Sequence, residues 1–122
     1  MVEFRRSIGH PNAVARLRFR PLFRLAITGR SMLPTLRNGD RVLVLAARRL
    51  RVGDLVAIRD PRRPERTIVK RVTAADSLWV TVAGDNAGGS TDSRHFGPVP
   101  RSLVRGRVIY RYAPASRAGR PR

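Results

Sequence analysis

Of the 26 basic residues in this 122-residue chain, 25 are arginine and one, Lys70, is lysine. Arginine holds its proton in a protein, whereas a buried lysine can give it up. A lone lysine in an arginine background is therefore a candidate proton acceptor. It sits in Ile68-Val69-Lys70-Arg71-Val72. In a strand, Ile68, Lys70 and Val72 share one face, and Val69, Arg71 and Thr73 share the other. Two β-branched neighbours would shield the amine and favour its neutral form. A free lysine titrates near ~10.4 and a general base works best near ~7–8, so desolvation is what such a role requires. The structural alternative is a side chain that snorkels from a half-buried strand into water.

A second segment, Gly29-Arg30-Ser31-Met32-Leu33-Pro34-Thr35-Leu36, sets a serine after a glycine and before a proline-containing turn. There the hydroxyl and the serine's own N–H can both point outward, as a nucleophile and half an oxyanion hole require. An ordinary N-cap serine would look the same. Ser31 and a neutral Lys70 together form a dyad: the amine takes the Oγ proton and later returns one to the leaving amine. A Ser-His-Asp arrangement would have to use His95 with Asp92 or Asp85, and closeness along the chain is no sign of triad geometry. The third segment, Gly84 to Val99, is Gly-rich and holds Asp85, Ser90, Asp92, Ser93 and Arg94. Asp92 and Arg94 can pair, and a serine hydroxyl can hold an amine in place. It lacks the G-x-x-x-x-G-K signature of a phosphate-binding loop.

Composition narrows the chemistry. With no cysteine, disulfides, thiol catalysis and Cys-based zinc sites are excluded, and two histidines are too few for most His-built metal sites. No metal and no cofactor is expected. The formal charge of +18 draws the chain toward polyanions such as nucleic acid, anionic lipid or an acidic partner. Half of that excess lies in residues 1–26 and 111–122, which are rich in Arg, Pro and Ala. No stretch free of Asp, Glu, Lys and Arg exceeds nine residues, Ser7 to Ala15, so neither a spanning helix nor a cleavable signal peptide is expected. The expected setting is cytoplasmic, with peripheral contact at an anionic membrane as an option.

The elements that must position these groups read as short strands between turns. Phe23–Thr28, Arg41–Ala46, Asp54–Arg59, Thr67–Thr73, Leu78–Ala83 and Val104–Tyr112 are enriched in Val, Ile, Leu and aromatics. Pro and Gly punctuate between them. The pattern predicts an all-β, mainly antiparallel domain, a sandwich or partial barrel with at most short helical turns. One such turn is expected near Ser31, with Pro34 and Thr35 in its first turn. Val14–Leu25 alternates apolar residues with Arg and reads either as an edge strand or as a basic amphipathic segment at a lipid surface. The expected organisation is a basic N-terminal segment (1–22), a catalytic domain (23–112) and a basic C-terminal tail (113–122), both ends open to partial disorder.

In their order along the chain, these segments resemble the type I signal peptidase family of Ser/Lys proteases. The resemblance runs from about Ile27 to Arg107. Gly29 to Leu36 resembles the nucleophile box, Gly39-Asp40-Arg41-Val42-Leu43-Val44 the strand box after it, and Lys70-Arg71-Val72 the general-base box. Gly84-Asp85-Asn86 through Arg94, then Phe96-Gly97-Pro98-Val99, resembles the last box. The resemblance implies coiled β-sheets like those of signal peptidases and LexA-like proteases. It also implies Ser31 as nucleophile, Lys70 as base and Ser90 as the serine that orients the amine, with Arg71, Asp85, Asp92 and Arg94 as the surrounding charged network. Many bacterial members complete the oxyanion hole with a serine two residues before the nucleophile. That position is Gly29 here, which leaves the hole to the Ser31 N–H. The family's amino-terminal membrane anchor and large inserted β domain are not seen in the sequence, and short members of this kind resemble the nickel-type superoxide dismutase maturation proteases of actinobacteria.

The expected function is therefore a serine endopeptidase that removes a propeptide or leader from a precursor protein with small residues before the cleavage site. The alternatives are a basic β-domain that binds nucleic acid and a LexA-like self-cleaving regulator. Against nucleic acid stand only seven aromatics and no stacking motif. Against the regulator stands the lack of a preceding helix-turn-helix.

Overall fold

The computed structural model describes residues 21–47 and 49–122. Its seven strands are β1 (Leu22–Ala26), β2 (Arg41–Leu45), β3 (Leu55–Asp60), β4 (Arg63–Ala75), β5 (Trp79–Ala83), β6 (Val99–Pro100) and β7 (Val104–Ala113). A single turn of α-helix, α1 (Ser93–Phe96), joins β5 to β6. The strands form one sheet in the order β1-β2-β7-β3-β4-β5-β6, every pair antiparallel. The fold is thus mainly antiparallel β with few helical turns.

Burial follows the sequence pattern. β2 alternates, with Val42 and Val44 buried. β3 lies in the middle of the sheet, and its continuous run Leu55-Val56-Ala57-Ile58 is buried throughout. A strand covered on both faces needs apolar residues at every position. Its two faces feed two cores. Leu55 and Ala57 join Ile27, Met32, Leu36, Val42, Val44, Val69 and Val108. Val56 and Ile58 join Val72, Val80, Val82 and Val99. Each such side chain contributes about 1.5–3 kcal/mol on burial. In the β3–β4 ladder Lys70 stands opposite Val56, whose exposure is zero, so the lysine shares the face of the second core.

Three features differ from the sequence reading. β4 begins at Arg63, earlier than Thr67, because Asp60 pairs with Arg63 across a tight turn. The segment around Ser31 is a chain of turns with a cis Leu33–Pro34 bond, closed by Leu36 N–H to Met32 O at 2.9 Å, and it does not develop into a helix. Residues after Ala113, read as a tail, fold back on the sheet. Arg111 and Gly119 exchange backbone hydrogen bonds, and Arg117 and Arg111 both reach the buried Asp40. A buried carboxylate needs paired cations, and these arginines supply them. Most of the segment Val14–Leu25 lies outside the described residues; its last residues form the start of β1.

Candidate active site

β1 leaves the sheet edge at Ala26 and runs into the turns that carry Ser31. Gly29, at φ +85°, makes the first bend, and its N–H donates to Asn38 Oδ1 at 3.0 Å. That donor is spent inside the loop. The Ser31 N–H makes no hydrogen bond among the described residues and is left for a ligand.

The facing wall is β4. Lys70 is 3% exposed, and its ammonium nitrogen donates to Ser90 Oγ at 2.9 Å. Burial pushes the Lys70 pKa below the ordinary lysine value; Asp92 opposes that shift, and Arg62 adds to it. Ser31 and Lys70 line one cleft of about 300 Å³, together with Ile27, Met32, Arg62 and Arg66. Among the described hydrogen bonds, none joins Ser31 Oγ to Lys70 Nζ directly; Lys70 bonds Ser90 instead.

Ser90 has a defined orientation. Its hydroxyl lies 3.0 Å from Asp92 Oδ2. Asp92 has no exposed surface, and hydrogen bonds from the Arg94 side chain, first of all, hold its carboxyl far below the usual range. Burial opposes this, and the N–H groups of Gly84 and Arg94 and the Ser90 hydroxyl reinforce it. An ionised carboxylate only accepts. Ser90 must therefore donate to Asp92 and accept from Lys70, which leaves the lone pair of a neutral amine pointing away from Ser90.

A second ion pair braces the turn that carries Ser31. Arg71 donates to both oxygens of Asp85, each at 2.8 Å, and to Gly53 O at 2.7 Å. Asp85 also accepts from Thr35 Oγ1. The Arg71 hydrogen bond, then that of Thr35, lowers the Asp85 pKa against the effect of burial. The four charged residues read from the sequence thus form two separate pairs, Arg71–Asp85 and Arg94–Asp92.

Several supporting residues escaped the sequence reading. The Asn86 N–H donates to Ser31 O at 2.9 Å, and its Nδ2 donates to Arg30 O at 3.0 Å. A Cβ on Gly84 would lie 2.2 Å from Ser90 Oγ and 2.6 Å from Ser31 O. This glycine lets the turn that carries Ser31 and the Ser90 side chain close on each other. Asp60, fully buried, is clasped by Arg62 and Arg66 at the cleft wall. The turn signals around Gly84-Asp85-Asn86 were visible in the sequence, but Thr35 and Arg30, which Asp85 and Asn86 hold, lie fifty or more residues away. His95 caps its own helix: its Nδ1 accepts the Asp92 N–H at 3.4 Å, so it is remote from any triad with Ser31 in function.

A mainly antiparallel β domain thus brings a buried lysine and a serine to one cleft. The family to which the chain belongs is that of signal peptidase, peptidase S26, whose profile matches residues 12–77 and 74–113. The chain is 39% identical, over 115 aligned residues, to mitochondrial ATP-independent inner membrane protease subunit 1a of Arabidopsis thaliana, covering 72% of this chain and 68% of that protein. It is 33% identical over 116 residues to mitochondrial inner membrane protease subunit 1 of Homo sapiens, covering 75% and 70%. It is 36% identical over 119 residues to mitochondrial inner membrane protease subunit 2 of Schizosaccharomyces pombe, covering 77% and 66%. The chain is a protease of this family. No helix among the described residues is long and apolar enough to cross a membrane.

Proposed function

We propose that the chain is a serine endopeptidase in which Ser31 is the nucleophile and Lys70 the general base. The observation that carries this reading is the burial of the single lysine in the cleft that also holds Ser31. Neutral Lys70 takes the Ser31 hydroxyl proton as Oγ attacks the scissile carbonyl carbon. The negative charge that develops on the carbonyl oxygen is met by the Ser31 N–H. Collapse breaks the C–N bond, and the Lys70 ammonium returns its proton to the leaving amine. A water, deprotonated by Lys70, then attacks the acyl group, and as the ester C–O bond breaks Lys70 returns that proton to Ser31 Oγ. The Ser31–Lys70 contact closes when substrate is seated, since catalytic hydrogen bonds are often long in free enzymes. Ser90, held by Asp92, keeps the amine aimed; Gly29 shapes the loop without contributing a donor.

The substrate is a precursor protein in extended conformation. Among the described residues β1 pairs only with β2, and its residues Leu25 and Ala26 line the cleft, so that edge can take a peptide as an added strand. Small residues before the scissile bond are the specificity the resemblance implies. Within that class, the propeptide of a nickel superoxide dismutase is the first substrate to test; the relatives above are named for the mitochondrial inner membrane. The test is incubation with candidate precursors and mass spectrometry of the new amino termini. A discrete cleavage that Ser31→Ala abolishes supports the reading. Cleavage that persists in Ser31→Ala contradicts it.

A further inference from the structure

We propose that Arg62 and Arg66, held by the buried Asp60, form a subsite that selects precursors carrying an aspartate or glutamate about four residues from the scissile bond. This deepens the peptidase reading and rests on it. Four basic residues line the cleft, Arg30, Arg62, Arg66 and Lys70, and no acidic one does. A cleft walled by charge of one sign focuses its field on whatever enters. The two guanidinium groups are fixed in place and only half spent. Asp60 has no exposed surface. Arg62 donates to it from Nε at 3.1 Å and from Nη2 at 3.0 Å. Arg66 does the same from Nε at 3.1 Å and from Nη2. Neither Nη1 has a partner among the described residues. Arg62 Cζ also lies 5.9 Å from the centre of the Phe96 ring, a contact that steadies it further.

One carboxylate against two guanidinium groups leaves a positive charge over. Both arginine side chains are nearly half exposed, so the spare N–H groups can meet a ligand. Guanidinium forks suit a carboxylate better than any other side chain of a peptide. The spacing follows from β4. Arg66 precedes Lys70 by four residues in that strand, which sets their backbones roughly 13 Å apart. An extended peptide advances at the same rate, so a side chain about four residues from the bond at Lys70 arrives at Arg66. Beside Ser31 the lining includes the buried Ile27 and Met32, which suit small apolar side chains. Selection by size at the bond and by charge farther along are thus separate parts of one cleft.

The test gives the full chain internally quenched peptides with alanine around the scissile bond, in which Asp is exchanged for Asn at each outer position on either side. Mass spectrometry identifies the bond cut. At a position about four residues from the bond, on one side only, Asp should raise kcat/KM about tenfold over Asn, chiefly through KM. Arg62→Gln and Arg66→Gln should each cut that ratio to about threefold or less. Each variant leaves the other arginine on Asp60, so the buried carboxylate keeps a partner. The ratio is taken on one enzyme, so a loss of folded protein divides out, as does any change at Lys70, whose pKa the Arg62 charge helps to lower. Cleavage that needs Ser31 but runs equally fast on Asp and Asn peptides would overturn this inference alone. So would a preference that both variants retain. Cleavage that survives Ser31→Ala, or cleavage of no peptide, would overturn the peptidase reading and this inference with it.

Discussion

Lys70 Nζ stands 2.9 Å from Ser90 Oγ, and the Ser90 hydroxyl is committed to Asp92 at 3.0 Å. The hydroxyl therefore acts on the lysine as an acceptor of fixed direction. Ser90→Ala removes that acceptor while Asp92 keeps Arg94 and Gly84. General acid–base catalysis is worth 10²–10⁴, and loosening the base forfeits part of it, about tenfold to a hundredfold in kcat. Steady-state kinetics should show this loss with KM little changed and the melting temperature nearly that of the parent.

Gly84 is the closest approach between the two halves of the site. In Gly84→Ala the new methyl would collide with both Ser90 Oγ and Ser31 O. Overpacking of this kind costs about 1–3 kcal/mol. Chemical denaturation should show that loss, and peptidase activity should fall further than stability alone explains, because Ser90, which holds Lys70, and the backbone of Ser31 are displaced together.

Asp60 gives the protein an acid limit. Burial alone would raise its pKa, but hydrogen bonds from Arg66 and Arg62 lower it from 3.8 to about 2. A depressed carboxylate stabilises the fold above its unfolded pKa, and that stability is lost as pH falls through the folded value. Both arginines are nearly half exposed, so screening reduces the contribution to about 1–2 kcal/mol. Thermal melts of Asp60→Asn should lie below the parent at pH 7, and the gap should close between about pH 4 and pH 2.

Asp40 ties the C-terminal residues to the turn after the nucleophile. It is 2% exposed and paired with Arg111 and Arg117, while Arg111 also donates to Thr35 O at 2.8 Å. Replacing both arginines by methionine strands a buried charge, at a cost of about 3–5 kcal/mol. Adding Asp40→Asn should recover part of it, a rescue that denaturant titration can read.

The strands were legible where Val, Ile and Leu dominate, but the central place of β3 was not read from its apolar run. β6 was not: it is two residues long and contains Pro100, which is tolerated because the strand lies at the sheet edge. The start of β4 was hidden in Arg63-Pro64-Glu65-Arg66, which reads as a turn until Asp60 is seen to anchor it. Ser31 and Lys70 stood out because each lies in a local segment with its own character, whereas Ser90 was singled out by the family resemblance. The backbone ties that hold the Ser31 turn did not stand out, since Asn86 reaches Arg30 across 56 residues and Arg111 reaches Thr35 across 76. Such pairings depend on sheet order, which local patterns do not encode.

The central claim is that Lys70 is a neutral amine at the pH where the enzyme works. Because the chain contains one lysine, labelling lysine with nitrogen-15 at Nζ gives a single resonance that reports this group alone. Burial lowers its pKa, so the resonance should titrate below the ordinary ~10.4, and kcat/KM should rise with pH over the same interval as the amine loses its proton. A Lys70 signal that remains that of an ammonium up to about pH 10, while cleavage proceeds at neutral pH, would contradict the account.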